Sequence, residues 1–100
     1  MFRLICVAGP FGDCTSRYEV RLDKQYTVRE FIDAVLTNKP NEWGSIGIEK
    51  SGTIFGDPRC HYKRGVLLNN LPDEYLNKNV ISARSHGGWS NMDYNLKVDV

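Results

Sequence analysis

Thr27-Val28-Arg29-Glu30-Phe31-Ile32-Asp33-Ala34-Val35-Leu36 is the stretch on which the fold turns. Thr27-x-x-Glu30 has the form of a capping box, in which the hydroxyl and the carboxylate each take a backbone N–H of the first helical turn. Behind it, Val28, Phe31, Ile32, Val35 and Leu36 recur at helical spacing and form one apolar stripe. Arg29, Glu30 and Asp33 fall on the other side. Asn38-Lys39-Pro40 ends the helix, because the residue before a proline is pushed out of the helical region. One amphipathic helix of this length needs a sheet to cover.

Strands are legible on both sides of it. Residues 2–8 are apolar apart from Arg3, a run expected of a central strand shielded on both faces. Gly9-Pro10-Phe11-Gly12-Asp13 breaks it. Tyr18 to Asp23 alternates, with Tyr18, Val20 and Leu22 on one face, and a hairpin with the first strand follows. Downstream, Ser45–Lys50 and Thr53–Phe55 flank Ser51-Gly52 and read as a short inserted hairpin. Cys60–Arg64 and Val66–Leu68 read as strands around Gly65. Leu71–Leu76 reads as one helical turn. Val80–Ser85 and Met92–Val98 read as a terminal hairpin, with Tyr94, Leu96 and Val98 alternating against Asn95, Lys97 and Asp99.

This order of hairpin, capped helix, strands, helical turn and late strand resembles the ubiquitin-like (β-grasp) family over most of residues 1–88. The likeness rests on Met1–Val7 with Tyr18–Asp23, on Thr27–Leu36, and on Leu71–Tyr75 followed by Val80–Arg84. It implies an α+β fold: a mixed sheet with one packed helix, in which the first and last strands run parallel at the centre. The segment 43–58 is longer than that core requires, and the chain continues past Gly88. The other architectures open to this pattern are a small α+β sandwich and a five-to-seven-stranded roll with the helix on one face.

Length and charge bound the rest. One hundred residues make a single domain spanning 1–100. Thirteen basic residues against twelve acidic ones give a net charge of +1, too little for long-range steering toward nucleic acid or anionic lipid. Cys6, Cys14 and Cys60 are odd in number and far apart, which argues against a disulfide scaffold and for a reducing, cytoplasmic setting. No run approaches the length of a membrane span, and the apolar start is too short for a secretory signal.

Candidate chemistry is thin. No catalytic set, cofactor motif or metal-ligand spacing is present, and no enzyme is expected. Cys60 and His61 are strand neighbours and point to opposite faces, so they form no dyad. Cys6 and Cys60 read as buried free thiols, and Cys14 as the exposed one. Gly87-Gly88 resembles the double-glycine end of ubiquitin-like modifiers, which would require processing after Gly88; a tight turn is the plainer reading. Arg59, His61, Lys63 and Arg64, with Tyr62 among them, form the densest basic stretch and a possible contact for nucleic acid. His86, Trp89, Met92 and Tyr94 cluster beside the last turn and are the candidate contacts for an unidentified protein partner. Phe11 and Trp43 also lie beside loops. A non-catalytic protein–protein interaction domain is the leading expectation, using this hairpin or the exposed sheet face.

Overall fold

The computed structural model describes residues 2–8, 14–49, 58–88 and 90–99. Strands β1 (Arg3–Ala8) and β2 (Cys14–Arg21) precede helix α1 (Val28–Asn38). Strands β3 (Trp43–Ile48), β4 (Arg59–Lys63) and β5 (Val66–Leu67) follow. Helix α2 (Asp73–Leu76) leads into β6 (Val80–Gly87) and β7 (Asn91–Val98). All seven strands join one sheet in the order β1-β2-β6-β7-β3-β4-β5. Every pairing is antiparallel except β3 with β7, which is parallel. The protein is an α+β domain with helices against a mixed sheet.

The capping box forms as the sequence requires. Glu30 N donates to Thr27 Oγ1 at 3.2 Å, and Thr27 N donates to Glu30 Oε1 at 3.1 Å. Val28, Phe31, Ile32 and Val35 are buried, while Arg29, Glu30 and Asp33 stay exposed. Phe31 is the hub of the core. Its ring stacks on Phe2 at 4.8 Å and meets Tyr26 and Tyr94 edge-on. Such aromatic pairs add about 0.5–1.5 kcal/mol each beyond the area they bury. Val20, Ile46, Ile48, Cys60, Tyr62, Ala83 and Leu96 complete the floor beneath the helix.

Three expectations about strand placement are corrected. The first concerns β1, which is an edge strand paired with β2 and not a central strand parallel to the last one. Its apolar run alternates in use. Phe2 is buried and Leu4 packs against the core, while Ile5 and Val7 point to the uncovered face and are 37% and 45% exposed. The central parallel pair is β3 and β7 instead.

The second concerns β3, which begins at Trp43 and has both edges filled, by β7 and β4. The expected hairpin partner at Thr53–Phe55 lies outside the described residues. The third concerns β2, which spans Cys14–Arg21 and starts earlier than the expected Tyr18.

The terminal hairpin forms as expected, with Val80 opposite Val98 and Gly87 opposite Met92. Strand β7 lies between β6 and β3, and Tyr94 and Leu96 on it are fully buried. A chain cut after Gly88 would lose a central strand and its share of the core.

Candidate functional site

One face of the sheet carries the helices; the register places the other face's residues in rows. Across the sheet, Arg17 lies opposite His86, His86 opposite Asp93, Asp93 beside Ser45, and Ser45 opposite His61. A neighbouring row runs Glu19, Arg84, Asn95, Gly47, Arg59. Another brings Asn91, Trp43, Lys63 and Val66 together. None of these positions is covered by α1 or α2, whose buried contacts lie on the alternate residues.

Over β3 and β4 this face is hollowed into an open groove of ≈ 870 Å³, walled by Trp43, His61, Lys63, Leu68, His86 and Asn91. Its floor is a hydrogen-bonded chain. Arg59 Nη2 donates to Asn95 Oδ1 at 2.6 Å, Arg59 Nη1 donates to Ser45 Oγ at 2.7 Å, and Ser45 Oγ donates to Asp93 Oδ1 at 2.7 Å. The charge of the guanidinium thus reaches a carboxylate through one buried hydroxyl, which strengthens both bonds. Glycine at 47 makes this possible. A Cβ there would stand 2.5 Å from Arg59 Cζ, so the guanidinium lies flat across the bare backbone.

The walls differ in character. Trp43 is 49% exposed and Leu68 is 65% exposed, both on the rim. His61 is anchored from beyond β5. Asn69 Oδ1 accepts from the His61 backbone N–H at 2.7 Å and lies 3.1 Å from its Nδ1, while Asn69 Nδ2 donates to Arg59 O at 3.0 Å. A bond from Nδ1 to the Asn69 carbonyl oxygen requires a ring proton on Nδ1.

The basic residues of the strands all lie on this face. Within the strands, register places Arg3, Arg17, Arg21, Arg59, Lys63, Arg84 and Lys97 on it, against the acidic Glu19 and Asp93. Glu49, just past β3, pairs with Arg84 at 3.0 Å. A chain of net charge +1 therefore presents one strongly positive surface.

The expected site residues divide. Arg59, His61 and Lys63 do share a face, as strand alternation requires. Arg64 does not belong with them: it and Gly65 form the two-residue turn between β4 and β5, with φ of 51° and 80°. Positive φ at both central positions is the signature of a two-residue type I′ hairpin loop. Tyr62 is no stacking platform. It is buried on the helix side, where its hydroxyl donates to Glu42 Oε1 at 2.6 Å and lies 3.1 Å from Met92 O.

Met92 and Tyr94 are not surface contacts either. Both are buried, because the alternation of β7 aims them at the core. Tyr94 OH donates to Glu42 Oε1 at 3.1 Å, and burial pushes its pKa, like that of Tyr62, far above the usual phenol range. Trp89 lies outside the described residues. His86 alone of that cluster is described as exposed, and it faces the groove.

The cysteines are also redistributed. Cys6 is disulfide-bonded and not a free thiol. That pairing withdraws the odd-cysteine argument for a reducing compartment. Cys60 is free and fully buried on the helix side, its thiol pushed up by desolvation, so it meets neither His61 nor His86 on the open face. The side chain of Cys14, and Phe11, lie outside the described residues. Among the described residues no group of three or more His, Cys, Asp or Glu side chains is placed to hold a metal. No described helix is long and apolar enough to cross a membrane.

Reasoning from sequence missed Trp43, Ser45, Asp93 and Asn95 as site residues. The signal was present in the alternation Asn91-x-Asp93-x-Asn95-x-Lys97, a polar face on a strand whose other face is apolar. The chain matches no family model, no curated protein and no solved structure.

Proposed function

We propose that the chain is a non-catalytic recognition module and that the open face of its sheet is the recognition surface. The observation that carries this is the groove between β3, β4 and β7. An ordered polar floor at Arg59, Ser45 and Asp93 lies under exposed Trp43 and Leu68, with no element among the described residues covering it. A preformed floor with apolar anchors at the rim binds at low reorganisation cost.

The same geometry supports a binding role over a catalytic one. Ser45 Oγ donates directly to Asp93 with no imidazole between them, and it accepts from the Arg59 guanidinium. That leaves no activated nucleophile of the serine–histidine type. The buried Cys60 thiol is equally disarmed, since desolvation disfavours its thiolate. The ubiquitin-like resemblance contributes the order of elements to this reading and nothing about a partner. The expected protein-binding hairpin at 86–94 contributes His86.

The test is affinity capture from cell extract with the intact chain and with Trp43→Ala/His61→Ala. Species held by the first and lost by the second, at equal thermal stability, support the open face. Identical retained sets for both chains overturn it.

A further inference from the structure

We infer that the ligand of the open face is single-stranded nucleic acid, with bases laid against Trp43, His61 and His86 and phosphates along the basic residues of the flanking strands. This rests on the open face being the recognition surface.

Charge complementarity is the first support. Seven basic strand positions against Glu19, Asp93 and the adjacent Glu49, on a chain of net charge +1, single out this face for a polyanion. An unpaired strand also needs planar surfaces on which bases stack, and three ring side chains border the groove. His86 and His61 stand at the ends of the row His86, Asp93, Ser45, His61. Three strand spacings separate them, about 14 Å at the usual 4.7–4.9 Å each. Trp43, two residues before Ser45 on β3, lies between them across the sheet but about 6.6 Å out of their row along the strands. That span suits two or three bases.

The floor supplies what base edges need. Asp93 and Asn95 carry acceptors in the groove, and the amide of Asn95 has donors left beyond its bond to Arg59. A duplex does not fit this arrangement, because its bases are stacked on one another and its ring faces are unavailable. An acidic peptide would find less here. Arg59 is committed to Ser45 and Asn95, and Arg84 to Glu49, leaving few bidentate sites for carboxylates, while the rings would have no partner.

The experiment is fluorescence anisotropy of the intact chain with labelled mixed-sequence DNA and RNA oligonucleotides of about ten nucleotides, between about 50 and 200 mM salt. The matching duplex and a polyglutamate peptide of equal charge serve as competitors. Single strands should bind most tightly. Trp43→Ala should weaken binding about 5- to 150-fold, the usual worth of one stacked base. Lys63→Glu should flatten the slope of log K against log salt by about 0.7 or more, the share of one phosphate contact. His86→Ala, at an exposed position, carries the stacking test if Trp43→Ala does not fold. Equal or tighter duplex binding, no binding of single strands, or unchanged affinity in the ring variants overturns the nucleic-acid assignment. Tighter binding of polyglutamate overturns it too, but leaves the open face standing as the recognition surface. Only unaltered capture by Trp43→Ala/His61→Ala removes that.

Discussion

Glu42 holds two buried phenols at once, and this makes Tyr94→Phe a mutation whose sign depends on its neighbour. Glu42 Oε1 accepts from Tyr62 OH at 2.6 Å and from Tyr94 OH at 3.1 Å, and both rings are buried in the core. Tyr62 has a second acceptor in Met92 O at 3.1 Å; Tyr94 OH has Glu42. In the native chain, Tyr94→Phe removes a hydrogen bond to a charged group and should cost about 1.5–3 kcal/mol. In a Glu42→Ala background the same hydroxyl is buried without that acceptor, and such a group costs about 1–3 kcal/mol. Deleting it there should be neutral or stabilising. The coupling between the two positions should therefore reach at least about 1.5 kcal/mol. Urea unfolding of the four chains, followed by tryptophan fluorescence, measures it, with unchanged m values confirming a common transition. In thermal melts, each kcal/mol corresponds to roughly 4–8 °C for a domain of this size. If Tyr94→Phe costs the same in both backgrounds, the shared-carboxylate account is wrong.

Two further outcomes follow from the local chemistry. Thr27→Ala should cost about 1 kcal/mol, within the 0.5–2 range for losing a helix N-cap, and Thr27→Ser should restore most of it; chemical denaturation decides. Stability should also be flat through neutral pH and fall above pH 10. Burial and then the hydrogen bond to Asp23 push Tyr26 up from 10.0 to about 12, so its proton is favoured in the folded chain. A raised folded-state value gives stability that is complete below the unfolded value and lost as pH climbs through the folded one. Urea midpoints between pH 8 and about pH 12 should show that decline, with Tyr26→Phe softening its first part; an unaltered profile in the variant excludes Tyr26 as a cause.

Local elements were legible because their causes are local. The capping box at Thr27 and Glu30, the stripe from Val28 to Leu36 and the alternation of β7 are each written within about a dozen residues. Neighbour relations were not. An apolar run at 2–8 fits a central strand, and it also fits an edge strand whose outward Ile5 and Val7 lie on an uncovered face; composition does not separate the two. Nothing in the local sequence announces the roles of the glycines at 44 and 47. In the folded chain they sit in β3, where Gly47 gives room to Arg59 and a Cβ at Gly44 would strike the Met92 carbonyl. That need arises from strands far away in sequence. The site was misjudged for a different reason. The alternation that correctly placed Leu96 and Val98 inward also places Met92 and Tyr94 inward, so their aromatic and thioether character was never available to a partner. Net charge hid the positive face, since a sum over the chain carries no geometry.

The place of β7 has a consequence for how the polypeptide assembles. It joins β1-β2-β6 on one side to β3-β4-β5 on the other, yet it is the last of the described strands to be made. During synthesis the first five strands and α1 exist as two separate, unfinished patches, each with an open edge. Neither patch can close until β6 and β7 emerge and zip between them. Joining partners this far apart along the chain is entropically slow and leaves strand edges bare meanwhile. The nascent chain should therefore acquire protease resistance abruptly, after β7 clears the ribosome, and not by stages.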